Sequence, residues 1–397
     1  MTDGGPAAVP LPATMRAVRL VGWGRPPVLA EVPVPSPGPG AALLRVQAAG
    51  ICHSDLHVMD AEPGLLPYEL PFTLGHEVVG SVVAAGEGVP AEWLGRSCAV
   101  HGLWSCGHCR NCRRGRENYC LHLVGPVGGG LGRDGGLADY VLVPDVRHLV
   151  PVNGAEATAM APLTDAGLTA LHAVRSHPEQ LDGGGVAVLV GIGGLGHLAL
   201  QIVRATTGAR TIAVDTDPGA RDLAVRLGAD QVTGELGQVP RLIRDLTGEE
   251  GADLVLDFVG AQSTMDAGAG WLARGGTLAV VGSAGGALSV AKGRGLPPGW
   301  TVTAPFWGPR QDLETVVALA RRGAVAAEVE VFPLEQALEA YARLRAGRVR
   351  GRAVVVPSSR PEEGLSLSEP AAESKMNSLR RDVSGEPDHA GPRSRVR

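Results

Sequence analysis

Apolar and polar positions follow different patterns in different parts of the chain. Between residues 14 and 166, short apolar runs are separated by Gly and Pro, at 15–20, 42–51, 77–89 and 138–144. Short runs bounded by turn-forming residues are typical of β-strands. This part of the chain is therefore predicted to form an irregular β-rich unit.

A regular alternation begins near residue 186. Apolar runs at 186–191, 211–215, 252–260 and 276–282 alternate with helical periodicity at 197–206, 218–229 and 263–273. Strands that are apolar on both faces and alternate with helices indicate a parallel, doubly wound sheet. The predicted fold class is therefore α/β, with a β-rich domain followed by a doubly wound parallel-sheet domain.

Composition and charge narrow the functional classes. The 397 residues are 44% hydrophobic and 19% charged, as in an ordinary globular protein. The formal net charge of -5 gives no global basic field that would favour nucleic acid. No run approaches the roughly 18 consecutive apolar residues that would span a bilayer, and the N-terminal segment lacks the pattern of a signal peptide. We expect a cytoplasmic protein without a nucleic-acid or membrane partner.

A glycine-rich turn follows the apolar run at 186–191 and opens a helical segment. The residues of this turn that are expected to contact a cofactor are Gly191, Gly193, Gly194, Leu195 and Gly196. Glycines at this spacing permit a tight turn and a close approach of backbone to a pyrophosphate, which faces the helix N-terminus. Because the turn lies between a strand and a helix, the sequence predicts a Rossmann-type dinucleotide site.

Asp215 ends the next predicted strand. A carboxylate at that place can accept hydrogen bonds from both ribose hydroxyls and repels a 2′-phosphate, so we expect NAD rather than NADP. The alternative is that Asp215 only caps the following helix, and the nearby Arg221 leaves some use of NADP open.

Four of the six cysteines lie within one short loop, as Cys106, Cys109, Cys112 and Cys120. Four thiolates can close a tetrahedral zinc site that leaves no position for substrate, so the loop predicts a structural zinc ion. An iron–sulfur cluster is the alternative. In a cytosolic chain such clustering favours a metal over disulfides.

A second, more dispersed set of polar residues surrounds two potential metal ligands, Cys52 in GICHSDLH and His76 in TLGHEVVG. A buried cysteine or a lone histidine is often only a packed residue. Their neighbours Ser54, Asp55 and His57 make that interpretation less favourable.

With these motifs in order, the chain resembles the zinc-containing medium-chain alcohol dehydrogenases over about residues 15–357. GHEVVG, the four-cysteine loop, GIGGLG and Asp215 carry the resemblance. APLTDAGLTALHA, RGRENYC and DFVGAQST are most similar to the actinobacterial NAD-dependent secondary-alcohol dehydrogenases. The resemblance implies a GroES-like catalytic domain, two zinc ions per chain, NAD, and a homodimer or homotetramer.

The resemblance places the catalytic zinc on Cys52 and His76. The third ligand is commonly a cysteine, but this chain has Asp165 in PLTDAGLT, and the secondary-alcohol branch uses aspartate in this way. The alternative is that Asp165 caps a helix while Glu77 or water completes the metal shell.

Further roles also come from the resemblance. Asp55 is expected to hold the ring of His76 through its second nitrogen, and Glu77 to be a transient or neighbouring partner of the metal. Ser54 is expected to take the substrate proton and pass it through the ribose hydroxyls to His57.

The resemblance also implies cofactor contacts outside the glycine turn. Thr169 is expected to pack beside the nicotinamide, and Val259 and Val281 end later strands where cofactor-contacting backbone is expected. Many members of the family carry Arg directly after the ligand cysteine to contact pyrophosphate. This chain does not, so Arg350 or Arg352 is expected to supply that contact.

These patterns divide the chain into five predicted parts. They are a flexible leader at 1–13, the catalytic domain at 14–166, the NAD-binding domain at 167–305, a return to the catalytic domain at 306–357 and a disordered tail at 358–397. The return is expected from the amphipathic helices and last strand within 311–357. The tail is polar and has almost no large apolar residues, so burial cannot offset the entropy of ordering it.

The substrate is expected to be a small alcohol or carbonyl compound, more specifically a secondary alcohol or ketone. Candidate pocket residues, for which ordinary packing is the alternative, are Phe72, Trp104, Trp300, Phe306 and Trp307. Another zinc medium-chain activity, on a polyol, amino alcohol or aldehyde, is the nearest alternative function. A zinc-stabilised binding module without turnover is a distant one, since the dinucleotide motif is complete.

Overall fold

The structure is a computed structural model of the whole chain. It describes residues 10–123, 125–181, 183–248, 251–289 and 296–358. In chain order the strands are β1 Thr14–Leu20, β2 Val28–Pro33, β3 Ala42–Ile51, β4 Phe72–Thr73, β5 Glu77–Ala85, β6 Ser97–Val100, β7 Gly128–Gly129, β8 Gly132–Arg133, β9 Tyr140–Val143, β10 Leu149–Pro151, β11 Val186–Val190, β12 Arg210–Val214, β13 Gln231–Thr233, β14 Ala252–Asp257, β15 Leu272–Val280, β16 Thr301–Thr303, β17 Val329–Pro333 and β18 Arg352–Val356.

The helices connect these strands and cover the sheets. They are α1 His53–Met59, α2 Ala157–Met160, α3 Ala166–Arg175, α4 Pro178–Leu181, α5 Gly196–Thr206, α6 Pro218–Arg226, α7 Val239–Thr247, α8 Gln262–Gly270, α9 Arg310–Arg321 and α10 Ala337–Arg345. Among the described residues, none of these helices combines the length and apolar character that crossing a bilayer requires.

A mixed sheet forms the first, β-rich unit. Its strands pair in the order β10-β6-β5-β3-β18-β17, and β9 also pairs with β3. The central strand β3 is buried except at Arg45 and Gln47, because β5, β9 and β18 lie beside it. The late strand β18 thus joins a sheet whose other central strands come from the first third of the chain.

The second sheet is parallel throughout, with the strand order β13-β12-β11-β14-β15-β16. Its middle strand β11 has the sequence VAVLV and is buried at every position, because helices cover both faces of a doubly wound sheet. The order reverses at β11, where β12 lies on one side and β14 on the other. The predicted α/β fold with a Rossmann domain is confirmed.

One predicted helix end and one strand differ between the sequence-based prediction and the structure. The helical segment expected at 263–273 ends at Gly270, and the last two of its residues already belong to β15. The strand β17 was not expected, because Glu330 and Pro333 break its apolar pattern and most of its side chains are partly or fully exposed. It is a strand only because β18 provides a parallel partner.

Residues at both ends of the described range 10–358 make hydrogen bonds to the fold. The Ala13 carbonyl accepts a hydrogen bond from Val34 N at 3.1 Å, and Arg16 Nη2 donates to the Ser358 carbonyl at 2.7 Å. The other residues of the predicted leader that precede 10, and the predicted tail from 359 onward, lie outside the described residues.

Two buried histidines lie side by side at one end of the β6–β10 pair, where His101 follows β6 and His148 precedes β10. His101 and His148 stack with ring centroids 6.4 Å apart, and His101 Nε2 lies 2.9 Å from the Gly308 carbonyl. Burial, followed by the positive charges of His101, Arg147 and Arg310, lowers the pKa of His148 to about 3. Burial likewise lowers the pKa of His101.

We predict that His148 makes the fold sensitive to mild acid. Its pKa of about 3 in the folded chain lies below the ordinary histidine pKa of 6.5, so the unfolded chain binds the proton first. The stabilisation is complete above pH 6.5 and is lost as pH falls below that value, by about 2 kcal/mol between pH 6.5 and 5. The free energy of unfolding, measured with urea, should therefore fall less in His148→Phe than in wild type between pH 6.5 and 5. The difference between the two declines should be about 2 kcal/mol.

A comparison at pH 8 serves as the control for this variant. Both proteins carry an uncharged ring there, so any difference in the free energy of unfolding measures packing alone. An equal decline of the two proteins between pH 7 and 5 would contradict the assignment to His148.

Candidate metal centres and dinucleotide site

Three residues that are distant in sequence meet at the junction of the two sheets. Cys52 Sγ lies 3.6 Å from Asp165 Oδ2, and His76 Nε2 lies 3.3 Å from the same oxygen. The ligand atoms of Cys52, His76, Glu77 and Asp165 all lie within 4.8 Å of one another, and all four residues are buried.

Each of the three ligand candidates lies at the end of an element. Cys52 lies between β3 and α1, His76 directly precedes β5, and β3 pairs with β5 up to Gly50 and Glu77. Asp165 is the N-cap residue of α3, but its side chain makes no capping hydrogen bond there. Its Oδ1 instead accepts from Thr169 Oγ1 at 3.2 Å. The capping role that we considered as an alternative therefore does not account for this side chain.

His76 is oriented by a second carboxylate. Asp55 Oδ1 lies 3.0 Å from His76 Nδ1, and Asp55 Oδ2 accepts from Cys52 N at 3.0 Å. Burial opposes a charged imidazole, but Asp55, Asp165 and Cys52 outweigh burial and raise the pKa of His76 well above its usual value. The anionic groups around His76 Nε2 therefore favour a cation next to that atom.

The side chains of Cys52, His76 and Asp165 fit a divalent metal. His76 Nε2 is buried and makes no hydrogen bond among the described residues, although it faces a thiol and a carboxylate. One neutral imidazole, one thiolate and one carboxylate form the tetrahedral three-ligand set of an open zinc site. The orientation of His76 by Asp55 is what metal-binding histidines show.

A buried ion pair lies behind this cluster. Arg352 Nη2 contacts Glu77 Oε1, and Glu77 Oε2 has no hydrogen-bond partner among the described residues. Burial raises the pKa of Glu77 to about 6, and Arg352 offsets part of that effect. A Cβ on Gly50 would collide with the Glu77 carboxylate, so glycine is needed there.

The four cysteines of the loop also converge. Cys109 Sγ lies 3.5 Å from Cys112 Sγ and 4.0 Å from Cys120 Sγ, and Cys106 Sγ lies 3.9 Å from Cys112 Sγ. All are free thiols. Backbone N–H groups, Cys112 N first among them, lower the pKa of Cys109 to about 5. Four sulfur donors at these distances suit tetrahedral zinc and leave no open position.

The glycine turn joins β11 to α5 as a cradle. Gly191 has φ of 86°, in the left-handed region, and a Cβ on Gly196 would collide with the Gly191 carbonyl. A Cβ on Gly193 would meet nothing within 4 Å, so open space lies over the turn. A Cβ on Gly194 would lie 2.7 Å from Arg352 Nη1. Arg352 therefore lies between Glu77 and the cradle, where a pyrophosphate would bind.

Asp215 directly follows β12, and both of its carboxylate oxygens are engaged. Oδ2 accepts from Ile192 N at 2.7 Å, and Oδ1 accepts from Asp217 N at 2.8 Å. The cap of α6 is Asp217, whose carboxylate accepts from the first N–H groups of that helix. The alternative role of Asp215 as the cap of α6 is therefore filled by another residue. Arg221 Nη1 donates to the Asp215 carbonyl at 2.9 Å.

The other predicted cofactor residues lie around this cradle or farther away. Val259 lies beside the glycine turn, since its Cγ2 is 2.9 Å from the position that a Cβ on Gly191 would take. Val281 directly follows β15, and its N donates to the Asp257 carbonyl at 2.8 Å. Arg350 is exposed, and its backbone N donates to Glu330 Oε1 at 2.7 Å.

The two predicted relay residues lie on one helix. Ser54 Oγ lies 3.7 Å from Cys52 Sγ. His57 is exposed and lies one turn later on α1. Residues three apart on a helix share a face, so Ser54 and His57 define a line from the metal cluster to solvent.

Only part of the predicted aromatic pocket forms among the described residues. The Trp307 ring lies 5.9 Å from the His76 ring. Phe72 packs in the core beside β1, and Trp300 packs against the core of the parallel sheet. Phe306 is exposed, and Trp104 lines a separate cavity with Met15 and Arg19. Phe72 and Trp300 thus show the ordinary core packing that was the alternative for each pocket candidate.

Trp307 is held in an uncommon conformation. Its φ of 49° lies in the left-handed region, which bulky residues rarely adopt. A Cβ on Gly102 would lie 2.5 Å from the Trp307 ring, so glycine leaves room for the indole. The strained backbone and this space place the ring beside the metal cluster.

Sequence analysis missed one residue near the metal cluster. Tyr341 on α10 is buried, and burial followed by the Asp55 charge raises its pKa well above the usual value. No motif signals this position, because Tyr341 on α10 lies almost three hundred residues beyond Asp55 in the sequence.

Comparison with known proteins agrees with this geometry. The family described as alcohol dehydrogenase GroES-like domain matches residues 38–154, and the family described as zinc-binding dehydrogenase matches residues 194–322. An NAD-dependent alcohol dehydrogenase of Sulfurisphaera tokodaii is 35% identical over 352 residues, which cover 86% of this chain and 100% of the relative.

Solved structures of related proteins share the fold of this chain. An alcohol dehydrogenase of the archaeon Aeropyrum pernix has a TM-score of 0.79 and 35% identity, covering 86% of this chain and 100% of that one. An acetophenone reductase of Geotrichum candidum, in complex with NAD, has a TM-score of 0.76 and 32% identity, covering 88% and 98%.

Proposed function

This chain belongs to the zinc-binding alcohol dehydrogenases with a GroES-like domain, and from that membership we propose that it oxidises secondary alcohols with NAD and reduces the matching ketones. The convergence of Cys52, His76 and Asp165 beside the glycine cradle carries the proposal. NAD-dependent alcohol oxidation is the activity of its relatives. The preference for secondary alcohols is our more specific proposal.

Cys52, His76 and Asp165 would hold a zinc ion, which as a Lewis acid lowers the pKa of a substrate hydroxyl. The thiolate and the carboxylate together balance the two positive charges of the metal. Asp55 keeps His76 Nε2 aimed at the cluster by binding the opposite ring nitrogen. Arg352 neutralises Glu77 next to the cluster, so a second carboxylate does not add net negative charge.

The cofactor would lie along the cradle between the two sheets. The turn at Gly193 offers the open space, and the N-terminus of α5 and Arg352 offer positive charge to a pyrophosphate. Asp215 lies one strand away, where it would bind the ribose. Thr169 donates to Asp165 from the first turns of α3, and Val259 and Val281 border the cradle.

The proton of the alcohol needs a route out of a buried site. Ser54 lies next to Cys52 and would accept it, and His57 on the same face of α1 would release it to solvent. Ribose hydroxyls of the cofactor would bridge the two residues, because Ser54 and His57 are separated by one helical turn.

Three observations support a secondary-alcohol preference. Asp165 replaces the commoner cysteine, as in the branch of the family that the sequence resembles. The Trp307 indole forms an apolar wall beside His76, which suits a second carbon substituent. The acetophenone reductase, whose name denotes an aryl ketone, has the same fold over 88% of this chain.

The proposal is tested with pairs of isomeric alcohols. Oxidation of 2-butanol and 1-butanol, followed as NADH absorbance, should show kcat/KM at least about 10-fold higher for the secondary isomer. Only 2-butanol places a methyl group on the carbinol carbon beside the apolar wall, and such a contact is worth about 1–3 kcal/mol. Trp307→Ala should reduce that ratio, whereas Phe306→Ala, an exposed neighbour, should leave it unchanged. A preference for the primary isomer, or for a polyol or aldose, would refute it.

We also expect two zinc ions per chain, one at each cluster, and a homodimer or homotetramer. Because both clusters need reduced thiols, a cytoplasmic location fits the chemistry. Metal analysis and light scattering of the purified protein measure the zinc content and the oligomeric state.

A further inference from the structure

A second group of potential ligands lies on the outer side of the four-cysteine loop. The ligand atoms of Cys106, His108 and His122 lie within 4.8 Å of one another. The two imidazole rings are exposed and tilted by 51°, with centroids 5.3 Å apart. From this geometry we propose that Cys106, His108 and His122 form an auxiliary site for a divalent transition metal, which shares the Cys106 thiolate with the four-cysteine centre.

Cys106 is suited to bridge two metal ions. It is partly exposed, whereas Cys109, Cys112 and Cys120 are buried. Its sulfur therefore faces the buried thiols on one side and the exposed histidines on the other. A thiolate bound to one zinc ion retains lone pairs on its outer side, and thiolate with imidazole suits zinc and its neighbours in the transition series.

His108 is already oriented as a metal ligand would be. Its Nδ1 lies 2.9 Å from the Cys106 carbonyl, and because a carbonyl only accepts, Nδ1 is the donor. Nε2 then carries the lone pair. Metal-binding histidines typically donate their second ring N–H to a carbonyl or carboxylate in this way.

The loop that holds the four thiols also holds the two histidines. His122 N donates to Cys120 Sγ at 3.4 Å, and Cys109 N donates to Cys106 Sγ at 3.3 Å. Filling the four-cysteine centre therefore fixes the backbone on both sides of the histidine pair. The auxiliary site should load only after that centre, and it should lose its metal when that centre is emptied.

The charge balance favours a weaker site than the four-cysteine centre. Two imidazoles and one shared thiolate supply less negative charge than four thiolates. The guanidinium of Arg147, which contacts the loop at Gly107, adds a positive charge nearby that weakens cation binding further. The fourth position is open to water, as in other three-ligand sites, so the metal should exchange readily with solvent.

The inference rests on the proposed four-cysteine zinc centre, and metal counting separates the two. After dialysis of the whole protein against micromolar free Zn²⁺, wild type should hold three zinc ions per chain. The double variant His108→Asn/His122→Asn should hold two and keep full alcohol oxidation. Arg110→Gln, an exposed change in the same loop without an imidazole, should still hold three.

Co²⁺ provides a second readout that does not depend on activity. Substitution of the wild type should show thiolate-to-cobalt absorption that changes in intensity as the third equivalent binds, and the double variant should lack that last step. Two zinc ions in both wild type and double variant, with no third cobalt step, would overturn the auxiliary site and leave the proposed function intact. One zinc ion in a wild type that keeps full alcohol oxidation would instead contradict the four-cysteine centre itself.

Discussion

Replacing Asp165 with alanine should remove about one zinc ion per chain and lower kcat/KM for alcohol oxidation by at least about 10³-fold. A metal ion that acts as a Lewis acid contributes several kcal/mol of transition-state stabilisation, and about 4 kcal/mol corresponds to that factor. Asp165 supplies the oxygen next to both Cys52 Sγ and His76 Nε2. Metal analysis and steady-state kinetics of the variant measure the two effects.

Asp165→Cys is the matched control for this prediction. It restores an anionic donor of the kind common in the family, so it should keep both zinc ions and a substantial part of the activity. Thermal unfolding of both variants shows whether the fold survives, since Asp165 is buried at the start of α3. Unchanged zinc content in Asp165→Ala would remove Asp165 from the metal shell. Zinc loss from Glu77→Gln would then identify the replacement ligand.

Replacing Asp215 with alanine should shift the cofactor preference toward NADP. A carboxylate about 4 Å from a 2′-phosphate charge costs roughly 1–4 kcal/mol, depending on the local dielectric. The ratio of kcat/KM for NADP to that for NAD should therefore rise by about 10-fold to 10³-fold. Part of the rise comes from weaker use of NAD, because the ribose loses its acceptor. Arg221, whose guanidinium already lies at the Asp215 carbonyl, is positioned to contact the added phosphate.

Asp217→Ala is the matched control for the cofactor ratio. Asp217 is exposed, two residues away, and caps α6 through Gly219 N and Ala220 N. Its loss should cost about 1 kcal/mol of stability and leave the ratio unchanged. Asp215→Ala also loses the hydrogen bond to Ile192 N, so KM for each cofactor is compared at a temperature well below unfolding. An unaltered ratio would contradict the ribose role of Asp215.

Features whose residues lie close together in sequence could be predicted from sequence alone. The four cysteines occupy one loop, and the glycine turn lies between one strand and one helix. In both cases a few adjacent backbone angles set the geometry, so the spacing of the residues in the sequence is enough to predict the ligand that they bind. The parallel sheet followed in the same way from runs that are apolar on both faces.

The catalytic cluster depended on more than spacing. Cys52, His76 and Asp165 are separated by up to 113 residues, and resemblance to a family, rather than periodicity, connected them. The pairing of β3 with β5 and the placement of α3 bring them within hydrogen-bond distance.

The sequence by itself determined the α/β fold class, the glycine cradle and the four-thiol loop, because local conformation and burial pattern decide each of these. Only the tertiary structure decided that Arg352 pairs with Glu77 behind the glycine cradle, and that Trp307, rather than Phe72 or Trp300, lies beside His76. Such contacts join elements far apart in the chain. They depend on how whole sheets pack, which a pattern of neighbouring residues does not encode.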